Sequence, residues 1–224
     1  MSNIEKFSNL IASRILKTLC IDDKDKEEVL AYGAFVLFQT ILITLMVALF
    51  GIIFKVLLEA LVILFIASFL RKSSGGAHAT SPMNCALISV IIFGGIALIV
   101  KHYIMNLVFS HLIIGMILAF IFTYYIMLNY SPVETENKPL RNNKVKARLK
   151  KKSINIVLSL VVMNLILILL FSKTKSYYLL NIAVCITLGV TWQSITMVSL
   201  GHKIIDGLDK VLSGTKRLKR RINQ

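Results

Sequence analysis

The sequence predicts an all-α polytopic membrane protein with about six transmembrane helices and an amphipathic interfacial helix at each end. Of its 224 residues, 56% are hydrophobic and the mean hydropathy is +0.76, whereas soluble domains are usually about 45–50% apolar. Six apolar runs approach or reach the roughly 17–25 residues that a membrane-spanning helix requires. They are residues 33–54, 56–70, 83–100, 104–128, 154–171 and 177–199. Residues 1–224 therefore form one integral membrane domain with a transmembrane core at 25–199.

The N-terminal segment, residues 1–24, is predicted to be an amphipathic helix at the membrane surface. Ile4, Phe7, Ile11 and Ile15 recur at helical spacing, with charged residues between them. This pattern is typical of a helix that lies in the lipid headgroup region. A cleaved signal peptide is not expected, because the segment lacks an uninterrupted apolar core and a cleavage signature.

The basic residues are distributed unevenly between the two sides of the predicted membrane. If the N-terminus lies inside, 22 of the 26 Lys and Arg residues fall in inner segments. The outer loops hold only Lys55, Lys101, Lys173 and Lys175. This asymmetry follows the positive-inside rule and predicts that both termini are cytoplasmic. Topology and attraction to anionic lipids then account for most of the net charge of +15 without a nucleic-acid partner.

Two basic segments stand out. The C-terminal tail, residues 200–224, combines apolar residues at helical spacing with the basic run 216–221 and is predicted to lie on the inner leaflet. The denser cluster, at 138–152, is predicted to bind an acidic peptide segment. Its eight cations are Lys138, Arg141, Lys144, Lys146, Arg148, Lys150, Lys151 and Lys152.

A catalytic site is expected in the segment GGAHATSPMNC, residues 75–85, which joins the second and third apolar runs. Ser81 followed by Pro82 is a helix-start signal, with the serine as N-cap and the proline at the first helical position. Asn84 and Cys85 then fall in the first helical turn, where the helix macrodipole presents partial positive charge. A thiolate, the reactive form of cysteine, is stabilised in such a place.

His78 is the predicted partner of Cys85. Gly75 and Gly76 allow the chain to turn, and the break before Pro82 lets the histidine fold back over the helix start. An imidazole there would accept the thiol proton. The sequence shows no third catalytic residue beside His78 and Cys85. Asp25 or Glu28 would orient the histidine if the first span packed beside this segment. A lone His/Cys pair is too small a ligand set for zinc, and no cofactor is expected.

Other interpretations of this segment are a simple connecting turn, the re-entrant gate of a small transporter or channel with His78 as a proton or substrate ligand, and part of a non-catalytic scaffold.

The sequence resembles the accessory gene regulator B (AgrB) family of membrane cysteine endopeptidases, which act in bacterial quorum sensing. The resemblance rests on Arg71, Gly76, His78, Ser81 and Cys85 in RKSSGGAHATSPMNC. The pair Tyr32-Gly33 before the first span, SPVETENKPL after the fourth and the basic run that follows also match.

This resemblance implies a thiol protease that cuts an AgrD-type precursor peptide on the C-terminal side of the future signal. Cys85 would form an acyl-enzyme thioester, His78 would act as general base and acid, and Arg71 would support precursor binding. A Cys or Ser within the peptide would then attack the thioester and release a cyclic thiolactone or lactone. The resemblance and the short second run also imply a homodimer in the bacterial cell membrane, with the active site at the cytoplasmic face.

Overall fold

The computed structural model describes residues 3–19, 23–77, 79–103, 107–133 and 142–222, with side chains to residue 214. Within these residues the chain forms nine α-helices and one π-helical turn. They are α1 (Asn3–Thr18), α2 (Lys24–Ile53), α3 (Leu57–Ser74), α4 (Pro82–Ser89), the π turn (Val90–Gly94), α5 (Gly95–His102), α6 (Phe109–Tyr130), α7 (Asn143–Thr174), α8 (Tyr177–Ile195) and α9 (Ser199–Ile222). The all-α prediction is confirmed.

Five helical segments are long and apolar enough to cross a membrane: α2, the continuous segment α4–π–α5, α6, α7 and α8. The helix of the second predicted span, α3, is not among them because its 18 residues include Glu59, Arg71 and Lys72. It nevertheless lies at the centre of the bundle and packs against α2, α7 and α8. Its buried face is built of small and aliphatic residues, which allow close approach of neighbouring helices. They are Ala60, Ile63, Leu64, Ala67 and Leu70.

Consecutive helices run alternately between two ends of the bundle. At one end, the backbone N–H of Val133, after α6, donates to the carbonyl of Ser74 at the end of α3, at 2.8 Å. At the other end, the Lys101 ammonium donates to the carbonyl of Lys55 in the turn between α2 and α3. The first of these ends, called the site end below, also contains the start of α4 and the end of α8.

Two helices begin earlier than the apolar runs predicted. Asp23 caps α2 by accepting a hydrogen bond from the N–H of Lys26 at 3.2 Å, so Tyr32-Gly33 lies inside this helix rather than before it. The side-chain hydrogen bond from Lys26 also lowers the pKa of the Asp23 carboxyl. Asn142 caps α7 in the same way, through the N–H of Lys144. Lysine and arginine are good helix formers, so the basic residues after Asn142 form the first turns of α7 instead of a loop.

The amphipathic helix α1 packs against α2 and leaves part of its predicted apolar face exposed on the outer surface. Ser8, Ala12 and Leu16 are buried, whereas Phe7 and Ile15 of the predicted apolar face are 54% and 40% exposed. Small residues are favoured in the contact because they let the two helices approach closely. The bulky apolar side chains therefore stay on the outer surface of the bundle.

Candidate active site

The segment before the site is shorter than expected, because α3 extends to Ser74 and includes Arg71 in its last turn. Gly75 ends the helix with φ +75°, a conformation that L side chains rarely adopt. A Cβ at this position would also lie 2.4 Å from the carbonyl oxygen of Val133. Both observations explain why glycine is needed where the chain leaves α3.

The end of α8 holds the glycine turn in place, an interaction that the sequence did not reveal. The Gln193 side-chain amide donates to the hydroxyl of Ser74 at 3.0 Å and to the carbonyl of Gly75 at 2.6 Å. The N–H of Ala77 donates to the carbonyl of Thr196 at 3.1 Å. Gly76, with φ +138°, passes so close that a Cβ would lie 2.7 Å from the Thr196 hydroxyl. The turn is thus fixed by its own backbone and by one buried amide.

Cys85 lies in the first turn of α4, as the sequence predicts. The Ser81 hydroxyl accepts from the N–H of Asn84 at 3.2 Å, and the Ser81 carbonyl accepts from the N–H of Cys85 at 2.9 Å. Pro82 occupies the first helical position. The predicted cap is therefore confirmed, and it places Cys85, which is half-buried, at the electropositive end of a helix.

A cavity of about 30 Å³ adjoins Cys85. Its wall combines the end of α3, the segment between α3 and α4, one face of α4 and the π turn, and parts of α8 and α9. The residues are Arg71, Ala77, Ala79, Cys85, Ile88, Ser89, Ile92, Phe93, Trp192 and Ile205. The volume is that of roughly one water molecule in the liquid. The free space beside the thiol is therefore small, although Cys85 itself is partly exposed.

Arg71 is the charged group that shares this cavity with Cys85. Its Nη2 donates to the carbonyl of Ala77, which ties the end of α3 to the turn. Its Nε is buried and makes no hydrogen bond with any residue that the structure describes. The guanidinium and the Cys85 side chain line the same cavity. The site thus contains a cation beside the candidate nucleophile, with one donor still available.

A carboxylate does reach the site, but it is neither of the two that the sequence suggested. Asp25 and Glu28 are exposed near the start of α2. Asp209 of α9 is 5% exposed and accepts hydrogen bonds from both the backbone N–H and the hydroxyl of Thr80. It also accepts one from the side-chain amide of Asn84 at 2.5 Å. Sequence reading missed this contact because the partners are more than 120 positions apart.

The C-terminal helix α9, which is predicted to lie on the inner leaflet, also packs against the site. Ile205, Leu208 and Leu212 of α9 pack in one cluster with Ala77 and Ile88 at the site. Val211, on another side of the helix, is 66% exposed. Most of the apolar side chains that predicted a membrane contact therefore pack against the site.

Three of the predicted site residues, His78, Lys138 and Arg141, lie outside the described residues. Of the other predicted substrate-binding cations, Arg148, Lys151 and Lys152 line a groove of about 480 Å³ together with Phe69 of α3 and the next turns of α7. The remaining three do not line it: Lys144, Lys146 and Lys150.

The basic groove and the Cys85 cavity lie on different sides of α3. Phe69 lines the groove and Arg71 lines the cavity. Residues two apart on an α-helix point in nearly opposite directions, at about 100° per residue. A ligand that contacts both places must pass around the end of α3.

The other described cysteine, Cys185, has a different setting. It is 1% exposed in the apolar core between α3 and α8, and its thiol contacts the side chain of Asn181. It therefore packs as a small core residue. Among the described residues, no three His, Cys, Asp or Glu side chains are grouped so that they could hold a metal ion.

Comparison with known proteins identifies the family of this chain. The sequence profile of accessory gene regulator B matches residues 8–197. The chain belongs to the AgrB family. An AgrB-like protein of Clostridium perfringens strain SM101 is 34% identical over 207 residues, which cover 92% of this chain and 96% of the relative. The protein FsrB of Enterococcus faecalis is 26% identical over 88% of this chain and 75% of its own length. No solved structure matches this AgrB-family chain.

Proposed function

We propose that this chain is a membrane-embedded cysteine endopeptidase that cleaves an AgrD-like autoinducer precursor and promotes its cyclisation. Membership of the AgrB family supports a role in the maturation of quorum-sensing peptides. The observation that carries the catalytic part is the position of Cys85. It lies in the first turn of α4 and shares a small cavity with the Arg71 guanidinium.

In the first step, the Cys85 thiolate attacks the carbonyl carbon of the scissile peptide bond. The C–S bond forms, the C–N bond breaks, and the leaving amine takes a proton. His78 is proposed as the group that removes the thiol proton and returns it to the amine. The product is a thioester between the N-terminal part of the precursor and Cys85.

The negative charge that develops on the carbonyl oxygen needs donors in this cavity. The N–H groups of Asn84 and Cys85 are already used by Ser81. Among the residues that line the cavity, Arg71 has a buried Nε that makes no hydrogen bond with a described residue. This Nε is the proposed oxyanion donor.

In the second step, a Cys or Ser side chain of the bound peptide attacks the thioester carbonyl. The acyl group moves to the peptide side chain, the ring closes, and the Cys85 thiolate is regenerated. Water would compete as a nucleophile. A bound peptide that fills the small space beside Cys85 limits that competition, because it displaces water from the site.

Trapping of the acyl-enzyme tests this function directly. The full chain in lipid nanodiscs is mixed with a synthetic AgrD-type precursor whose internal nucleophile is replaced by alanine, so that the second step is blocked. We expect an intact-mass increase equal to the N-terminal fragment, which hydroxylamine removes because the bond is a thioester. Cys185→Ala serves as the matched control and should form the same adduct. An adduct that persists in Cys85→Ala, or one that resists hydroxylamine, contradicts the proposal.

The basic groove of α7 is proposed to bind the acidic C-terminal tail of the precursor. Its three cations lie beside the apolar side chains of Phe69, Ile156 and Leu160, so the groove matches a segment with both acidic and apolar residues. Because the groove and Cys85 are on different sides of α3, the peptide would run around the end of that helix. The tail would then hold the scissile bond near the cavity by effective concentration.

Two triple variants with the same change in net charge test the groove. Replacing Arg148, Lys151 and Lys152 by glutamine is expected to raise KM for the precursor about tenfold, since exposed ion pairs contribute about 0.2–1 kcal/mol each. The control replaces three other cations of α7 with glutamine, and we expect a change of less than about threefold. These are Lys144, Lys146 and Lys150. Equal effects of the two variants on KM would mean that the precursor responds only to the net positive charge of α7, and not to the groove.

The orientation proposed for the chain places the site end of the bundle at the cytoplasmic face. The four cations assigned to the outer loops, Lys55, Lys101, Lys173 and Lys175, lie at or near the other end of their helices. The N-terminus and α9 would then both be cytoplasmic, in agreement with the positive-inside rule. Homodimer formation, which the family resemblance implies, stays a prediction that crosslinking in native membranes checks.

A further inference from the structure

We propose that Asp209 of α9 is a positioning residue that holds the start of α4, and with it Cys85, in the geometry needed for catalysis. The proposal rests on the function proposed for Cys85. It adds a residue that lies outside the segment matched by the AgrB profile, which ends at residue 197, whereas α9 begins at Ser199.

The hydrogen bonds of Asp209 join α9 to both sides of the helix start. One carboxylate oxygen accepts from the N–H of Thr80 at 3.0 Å and from its hydroxyl at 2.6 Å. The other accepts from the Asn84 amide, which also donates to the hydroxyl of Ser213 at 3.0 Å. Thr80 precedes the Ser81 cap, and Asn84 precedes Cys85 in sequence. The carboxylate therefore bridges the residues that flank the cap.

Apolar packing strengthens the same contact. Ile205, one turn before Asp209, is 5% exposed and forms part of the cavity wall beside Cys85. It packs in one cluster with Ala77 and Ile88. A charged group with this degree of burial is stable only when it is hydrogen-bonded. The polar and apolar contacts together make α9 a wall of the site instead of a detached tail.

These contacts restrain the movement of α9 relative to the start of α4. The cavity beside the partly exposed Cys85 is small, so the position of its wall controls how a reagent or peptide meets the thiol. Without the Asp209 bridge, α9 and the start of α4 would separate more easily. Cys85 would then be more accessible to small reagents but less well oriented for attack on a bound peptide.

The test measures the alkylation of Cys85 by iodoacetamide, followed by peptide mass spectrometry on the full chain in lipid nanodiscs. We expect Asp209→Ala to raise this rate about tenfold. It should lower kcat for a synthetic AgrD-type precursor about 100-fold, the size expected for misplacement by about 1 Å, with little change in KM. Asp206→Ala is the matched control, because it removes an exposed carboxylate from the same helix. If Asp209→Ala behaves as Asp206→Ala does, the proposal is overturned.

Cys185 provides an internal control for general loosening of the bundle, because it is buried in the core between α3 and α8. Its alkylation rate should not change in Asp209→Ala. If both thiols become more reactive, exchanging the side chains of positions 84 and 209 shows whether the hydrogen bond between them is responsible. Asn84→Asp alone places two carboxylates against each other, whereas Asn84→Asp with Asp209→Asn restores one donor and one acceptor. Recovery of slow Cys85 alkylation in the double variant supports the bridge, and failure to recover overturns it.

This outcome is distinguishable from failure of the proposed function, because alkylation does not require peptide cleavage. If Cys85→Ala still cleaves the precursor, the peptidase mechanism is wrong, whatever Asp209 does. If Cys85→Ala is inactive and Asp209→Ala matches its control, only the positioning role is lost.

Discussion

Replacing Cys85 by alanine will reduce cleavage of an AgrD-type precursor to the level of an empty membrane, a loss on the order of 10⁴–10⁶-fold in kcat. The physical reason is that the thiolate is the only nucleophile proposed for the first step, and alanine leaves no atom to form the acyl-enzyme. His78→Ala is expected to cause a loss of similar size. Because the two side chains act as one unit, the double variant should be no slower than the slower single variant.

The measurement is the release of the C-terminal fragment, followed by mass spectrometry with each variant at equal abundance in the membrane. Cys185→Ala is the control, since this thiol packs in the core, and it should cleave at the rate of the unchanged chain. Cleavage by Cys85→Ala at the rate of the unchanged chain would contradict the mechanism. Additive losses for Cys85→Ala and His78→Ala would show instead that the histidine acts separately, for example in precursor binding.

The local features of the fold could be predicted from the sequence because they depend on neighbouring residues. The apolar runs predicted the helices, and Ser81-Pro82 predicted the start of α4 and the place of Cys85 in its first turn. The bounds of α2 and α7 were missed because charged residues near a helix start lower the local hydropathy without ending the helix. Asp23 and Asn142, not the edge of the apolar run, set these boundaries.

The long-range contacts of the site could not be predicted in this way. Gln193 and Asp209 reach the segment after α3 from positions more than 115 residues away. A glutamine in an apolar span and an aspartate in an amphipathic helix have no local pattern that names their partners. Likewise, the apolar spacing of α9 cannot distinguish packing on lipid from packing on protein, and the structure shows that Ile205 packs on protein.

Replacing Arg71 by methionine will lower the rate of precursor cleavage. Methionine keeps much of the side-chain volume but removes the charge from the cavity that Arg71 shares with Cys85, together with the hydrogen bond to the carbonyl of Ala77. Loss of one partner of an enclosed charged interaction costs about 2–5 kcal/mol. We therefore expect a decrease in kcat/KM of about 30- to 5,000-fold. Lys72→Met is the matched control, because Lys72 is the exposed neighbour on the same turn.

The direction of the change in iodoacetamide alkylation separates the two roles of Arg71. If its charge stabilises the thiolate, Arg71→Met slows alkylation of Cys85. If its main role is to tie α3 to Ala77, the site opens and alkylation becomes faster, as expected for Asp209→Ala. Arg71→Lys keeps the charge but not the planar arrangement of donors. If this variant is alkylated at a near-normal rate but cleaves the precursor slowly, the charge of Arg71 stabilises the thiolate. Its hydrogen-bond geometry is then needed for attack on the peptide.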